Sequence, residues 1–292
     1  MLQGIVASVL ASMLFGTIYW LSTVLQPLDG EQIFGWRVLV TLPFTSLLLL
    51  ARPGEAARLA AVGRRVRARP ALALLLAASS ALLGVQLWLF MWAPLQGRAL
   101  PVSLGYFLLP LTMVLVGRLF YGERLSRAQG LATLLAALGV AHEIWQSGAM
   151  SWETWVVALG YPAYFALRRR LEIPGAAGQW LDMALMLPVA LWFIGRAPSS
   201  WALVPEHPAL WALLPLLGVI STVALALYLA ASHRLPLGLF GLLSYVEPVL
   251  LVLVALLLGE SLQPGQGPTY GLVFAAIAVL LAEGVLRLLR RS

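Results

Sequence analysis

Three ionisable side chains stand inside long apolar runs of this chain: Arg37, Asp182 and Glu247. A charge at the centre of a membrane span costs ~2.5–3.5 kcal/mol or more, so each needs a partner or a task. Glu247 is followed by Pro248. A proline removes a backbone donor and clashes with the preceding turn, which frees a carbonyl. Such a break is tolerated at membrane depth where the backbone is buried in protein or lines water. A carboxylate there can carry a proton, bind a cationic solute or neutralise Arg37, and the sequence leaves these readings open. Arg37 can clamp a solute carboxylate, serve the structure or snorkel to the interface. Asp182 stands near the end of its run, where water or a loop arginine would meet it. Hydroxyl, amide and indole groups at Tyr19, Gln86, Trp88, Tyr106, Tyr164 and Tyr245 complete the candidate binding and coupling set, and Pro110, Pro162 and Pro248 are the candidate helix breaks.

Other chemistries lack their residues. Without cysteine there is no disulfide, thiol nucleophile or thiolate site, and the three histidines are scattered, which leaves a metal site unsupported. No cofactor is implied. An integral membrane enzyme needs a converging nucleophile, acid and base, and the sparse intramembrane polar groups do not supply them. There is no G-x-x-x-x-G-K-[ST] loop and no lysine, which argues against direct ATP coupling.

The elements that hold these groups follow from composition. The chain is 61% hydrophobic and 11% charged, against ~25% charged in soluble domains. Crossing ~30 Å of hydrocarbon takes ~20 apolar residues. Ten segments qualify, at about 2–25, 32–51, 71–92, 99–119, 128–146, 151–167, 179–195, 208–231, 236–258 and 268–288. The first lacks a basic flank and a small-residue cleavage signal and reads as a retained span. With both termini cytoplasmic, sixteen loop arginines fall inside and only Arg98 and Arg196 outside, a strong positive-inside bias. The net charge of +7 is therefore orientation charge, and nucleic-acid binding is not expected. The basic loop 52–70 is expected to lie along anionic headgroups. His142, Glu143, His207 and Glu283 stand at span ends and are expected to be solvated.

The halves repeat. Gly122-Glu-Arg-Leu-Ser-Arg-Ala-Gln-Gly130 returns as Gly259-Glu-Ser-Leu-Gln-Pro-Gly-Gln-Gly267, displaced by 137 positions. Glu123 and Glu260 read as joints that satisfy free amides at the start of the next span. Residues 1–146 and 147–292 would each hold five spans. An odd number inverts the second copy, an architecture of secondary transporters with the substrate between the repeats. Gly16 with Tyr19 and Trp20 is matched by Gly160, Tyr161, Pro162 and Tyr164. Small-residue ridges at Gly4, Ser8, Ser12 and Gly16, and at Gly218, Thr222, Ala226 and Ala230, read as helix-packing faces.

Gln86-Leu-Trp-Leu-Phe-Met-Trp92, Ser103-Leu-Gly-Tyr-Phe-Leu-Leu-Pro110 and Gly122-Glu-Arg-Leu resemble the RarD branch of the EamA-type drug/metabolite transporter superfamily. So do the stretch from Pro27 to Arg37 and Arg234-Leu-Pro-Leu with Tyr245-Val-Glu-Pro-Val. The resemblance implies an all-α polytopic protein of ten transmembrane helices in two inverted five-helix repeats. It also implies alternating-access transport of a small organic metabolite or drug-like solute across the bacterial inner membrane, with export the expected direction. Proton coupling and solute exchange are both open. A flippase for a lipid-linked or amphiphilic substrate and a non-transporting regulatory or scaffold protein are the alternatives. The expected partners are the solute and membrane lipids, and the small-residue faces leave a homodimer open.

Overall fold

The computed structural model describes residues 2–121, 126–147, 149–173, 175–196, 199–234, 243, 246–262 and 264–289. Among these residues the chain is helical throughout, without strands. The helices are α1 (Leu2–Val24), α2 (Gly30–Ala51), α3 (Glu55–Ala68), α4 (Ala71–Trp92), α5 (Ala99–Tyr121) and α6 (Arg127–Ser147). They continue as α7 (Trp152–Leu171), α8 (Gly175–Gly195), α9 (Ser200–Glu206), α10 (Pro208–Arg234), α11 (Val246–Leu257) and α12 (Gly267–Leu289). Among the described residues five stretches are long and apolar enough to cross a membrane: Gln3–Val24, Gly30–Ala51, Ala71–Gln96, Gly175–Gly195 and Pro208–Tyr228. Shorter apolar stretches lie at Ala99–Met113, Val246–Leu257 and Gly267–Leu280. The chain is an all-helical polytopic membrane protein.

Two of the expected helix breaks are corrected. The α5 helix runs on through Pro110, and α7 runs on through Pro162. A proline inside a helix removes one donor and bends the turn before it without having to end the helix. Pro248 is buried within α11.

The helices fall into two compact units, one formed by Met1–Gly16, Gly97–Pro162 and Ala230–Ser292, the other by Thr17–Gln96 and Ala163–Leu229. In the first unit α6 packs most extensively on α12, and α5 on α11. Phe107, Leu111, Ala136, Val273 and Ile277 belong to its core, and Phe107 meets Phe274 edge-on at 5.1 Å. The α6–α12 pair is antiparallel, because the end of α6 meets the start of α12. His142 Nδ1 lies 3.0 Å from the Thr269 hydroxyl, and Gln266 donates to Glu143 Oε1 at 2.8 Å. This corrects the expected solvation of two span-end residues: Glu143 is buried and His142 is engaged. The ridge of Gly4, Ser8, Ser12 and Gly16 is buried along its length. A Cβ at Gly16 would lie 3.4 Å from Leu250 of α11, the close approach that small residues allow.

In the second unit α2 packs most extensively on α8. This pair is antiparallel too. Gly35, early in α2, faces Ala190 and Ile194, late in α8, whereas Ser46, late in α2, accepts a hydrogen bond from Trp180 Nε1, early in α8, at 2.8 Å. Both ends of the pair are tied by charge. Arg196, just after α8, reaches Asp29 at 2.8 Å and Glu31 at 3.4 Å at the start of α2. Glu55, just after α2, accepts from the Ala177 amide at 2.8 Å and so caps α8.

Gly35 supplies the fold's sharpest steric constraint. A Cβ there would lie 2.6 Å from the Ala190 carbonyl oxygen and 2.9 Å from Ile194 Cγ1, and neither backbone can move without separating the helices. Gly35→Ala is expected to lower stability by ~1–3 kcal/mol through overpacking. Gly63, in α3, has nothing within 4 Å of its Cβ position, so Gly63→Ala should be neutral or gain up to ~1 kcal/mol of helix propensity. Unfolding midpoints of the two variants in one detergent check the contrast.

The basic loop between the second and third spans contains a helix, α3. Its apolar edge carries Val62 and Val66 onto Leu76, Leu171 and Ile173, while Arg58, Arg64, Arg65, Arg67 and Arg69 remain exposed.

Candidate functional site

The second unit holds two buried polar nodes. The first is built on Asp182 of α8, which is 1% exposed. Ser80 of α4 donates to its Oδ1 at 2.8 Å, and Tyr164 of α7 donates to its Oδ2 at 2.9 Å. Arg168, one turn after Tyr164, places Nη1 3.8 Å from Oδ1 and donates from Nη2 to the Ile173 carbonyl at 2.7 Å. Its guanidinium passes against Gly178, where a Cβ would collide with it. The glycine keeps that passage open. Asp182 thus joins α4, α7 and α8 through one carboxylate, and it meets an arginine as one branch of the sequence reading expected. In the sequence Arg168 reads only as orientation charge. Its burial against Asp182 gives it a second task.

The second node is built on Arg37 of α2, which is 7% exposed. Nε donates to the Ser221 hydroxyl of α10 at 3.2 Å. The guanidinium lies over the Phe90 ring of α4, 5.7 Å from its centroid, a distance at which ring and cation attract. Tyr19 of α1, fully buried, meets the same ring edge-on at 4.7 Å. Phe90 therefore bridges two of the candidate residues. Gln86 is buried one turn before it on α4, and Trp88 is tilted against Trp92 at 5.5 Å. The node is a fixed cation in an aromatic and hydroxyl surround, suited to an anionic or electron-rich group.

These two nodes are related. Tyr19 and Tyr164 are 145 positions apart, and so are Arg37 and Asp182. Pro43 and Pro188, inside α2 and α8, share that spacing. It exceeds the 137 of the Gly-Glu-x-Leu motif because residues 52–70, with α3, form a longer connection than residues 196–207. A spacing that changes across that loop aligns Asp182 with Arg37.

In the first unit, the Tyr106 and Tyr161 hydroxyls lie 3.0 Å apart, and Thr112 donates to the Ala158 carbonyl at 2.6 Å. Glu247 is half-buried in the first turn of α11. Tyr245 and Glu123 lie outside the described residues. Arg98, just before α5, forms a paired contact with the buried Glu153 at 2.5 and 2.9 Å. That hydrogen bond holds the guanidinium above its usual pKa, with partial burial opposing it.

Glu260 acts as a joint, but not onto its own next span. Its two oxygens accept from the Ala99 and Leu100 amides of α5 at 2.7 and 2.8 Å. Glu260→Ala is expected to cost ~1–2 kcal/mol, the range of a lost helix cap, while Glu260→Gln keeps one acceptor and should cost less. Denaturant midpoints of the two variants measure the difference.

No protein-family model matches the chain. A chloramphenicol-sensitive protein RarD of Pseudomonas aeruginosa is 45% identical over 294 residues, covering 99% of this chain and 97% of the relative. An uncharacterised transporter of Pasteurella multocida is 44% identical over 295 residues, covering 100% and 99%. A protein RarD of Escherichia coli is 31% identical over 214 residues, 72% of each chain. A solved crystal structure of a protein whose name carries no function covers 96% of this chain and 98% of its own, with a TM-score of 0.58 at 19% identity, a likeness of fold. Apolar helices that bury charged and hydroxyl groups, in a chain whose full-length relatives are named transporters, define a multi-pass membrane transporter. The chain belongs to the RarD-like branch of the EamA-type drug/metabolite transporter superfamily.

Proposed function

We propose that this chain is a secondary transporter of the bacterial inner membrane that moves a small organic metabolite or drug-like solute, outward, by alternating access. Ten spans form two inverted five-helix repeats, residues 1–146 and 147–292, with both termini cytoplasmic. The protein binds and releases its solute unchanged and carries out no catalysis. Membrane lipids surround it, and a proton or an exchanged solute drives the cycle.

The observation that carries the reading is the pairing of repeat-related helices. Equivalent helices α2 and α8 pack antiparallel, and so do α6 and α12. Copies of one orientation would place their equivalent helices parallel, so the antiparallel packing supports inversion. Each unit also draws its helices from both halves of the sequence, in related pairs. The matching positions of Arg37 and Asp182 would then put a buried charge at the same position of each repeat, of opposite sign. Intramembrane charges of this kind mark solute and ion pathways, and helices of related repeats supply such sites in secondary transporters.

Arg37, Tyr19, Gln86 and Trp88 are the proposed solute-recognition groups of the first repeat's helices, with Tyr164 contributed by the second. Tyr106 of α5, Glu247 of α11 and, from the sequence, Tyr245 are the further proposed groups, and Glu247 is the proposed coupling carboxylate. Glu247→Gln cannot ionise, so it is expected to flatten the pH dependence of transport. Initial rates across pH 5–9 in proteoliposomes test this, and an unchanged profile removes Glu247 from coupling.

A further inference from the structure

We propose that the arginine face of α3 is a binding site for the phosphate groups of anionic phospholipid. Covalent geometry holds this helix at the membrane boundary. It begins four residues after the apolar α2 ends at Ala51, and it ends three residues before the apolar α4 begins at Ala71. Both neighbours are long enough to span, so α3 cannot leave the headgroup region without unfolding a turn of one of them.

The helix is also held in rotation. Val62 is buried, and with Val66 it packs on Leu76, Leu171 and Ile173, which fixes which side chains face outward. Arg64 and Arg67 lie on the side away from those valines, Arg65 borders the apolar edge, and Arg69 follows the helix as its C-cap; all four are exposed. The acidic residue of the helix is withdrawn from that face. Glu55 is 6% exposed, caps α8 through the Ala177 amide and contacts Arg58. The outward face of α3 therefore carries cations without a carboxylate to neutralise them.

Three other loop arginines contrast with this cluster. Arg168 is used inside the protein at Asp182, Arg98 is paired with Glu153, and Arg196 is paired with Asp29 and Glu31. A docked helix at headgroup level, with three exposed guanidinium groups on it and a fourth just after it, complements phosphate, which guanidinium contacts in bidentate fashion. Basic clusters beside a span are attracted to the anionic leaflet. The fixed rotation of α3 turns that general attraction into a defined site.

The test uses the full chain purified in a neutral detergent and exposed to phosphatidylglycerol or phosphatidylcholine. Native mass spectrometry counts retained lipids, and the unfolding midpoint reports stabilisation. The protein is expected to retain phosphatidylglycerol preferentially and to be stabilised by it, because a ligand that binds only the folded state raises the midpoint. The R64Q/R65Q/R67Q/R69Q variant is expected to lose most of that preference, and its midpoint in phosphatidylcholine should stay near that of the parent. The corresponding four-lysine variant keeps the charge and is expected to retain a reduced preference, so it carries the comparison should the glutamine variant not fold. Equal retention of both lipids by the parent, or an undiminished preference in the glutamine variant, overturns the proposal. An equal stabilisation by inorganic phosphate overturns the lipid assignment. No solute enters the measurement, so its outcome is separate from that of the transport reading.

Discussion

Asp182→Leu is expected to destabilise the protein by ~3–5 kcal/mol, the cost of leaving one member of a buried charge pair alone. Arg168 would remain with 12% of its side chain exposed, and the Ser80 and Tyr164 hydroxyls would lose their acceptor. Asp182→Asn keeps an oxygen for one of those donors and should lose less. The double variant Arg168→Met/Asp182→Leu removes both charges together and should recover part of the loss, because residues in one network do not contribute additively. Unfolding midpoints of the four proteins at a single heating rate complete the cycle. A loss below ~1 kcal/mol for Asp182→Leu would place the interaction among weakly coupled surface pairs and deny it the role of tying α4, α7 and α8.

Arg37→Gln is expected to lower solute affinity roughly thirtyfold or more, which corresponds to ~2 kcal/mol or more for a lost buried charge contact. Arg37→Lys should not restore it. Lysine keeps the charge but not the planar group that lies over Phe90 while Nε donates to Ser221. Phe90→Leu separates stacking from charge and should produce a smaller loss. The unfolding midpoint distinguishes a failure to bind from a failure to fold. A folded Arg37→Gln protein that transports with the parent's KM would remove Arg37 from recognition and leave it a structural residue.

Much of the scaffold was legible because a membrane span writes itself as an uninterrupted apolar run. The expected segments match the helix bounds closely from the first through the eighth. The small ridge from Gly4 to Gly16 was legible for a similar reason, since spacing of four puts small residues on one helix face. The basic stretch 52–70 was less so. Its apolar edge amounts to Leu59, Val62 and Val66, too few to stand out among six arginines, so the surface character is legible there and the helix is not. Pro110 and Pro162 are candidate breaks by type, yet both lie within the apolar segments 99–119 and 151–167, and α5 and α7 continue through them.

Of the site, the residue types were legible and the partners were not. Arg37 announced itself as a charge in an apolar run, but Ser221 is 184 positions away and gives no local signal. Asp182 was placed near water because it stands close to the end of its run. The long Arg168 side chain reaching past Gly178 is a tertiary fact that no sequence spacing announces. Glu260 reads as a cap from the sequence, yet the amides it satisfies belong to α5, 160 positions back, and no local signal points there. The 145-residue relation was present in the sequence all along, hidden by one fixed spacing taken from a motif beyond the α3 insertion.

Solute flux tests the central claim most directly. The purified protein is reconstituted into liposomes and offered a broad panel of labelled small organic metabolites and drug-like compounds, with and without an imposed proton gradient. The account predicts that at least one solute moves faster than in protein-free liposomes, saturates with concentration, and responds to the gradient or to the same solute on the far side. Traces indistinguishable from empty liposomes across the panel, from protein that remains folded, would contradict a transporter and favour a membrane protein without flux.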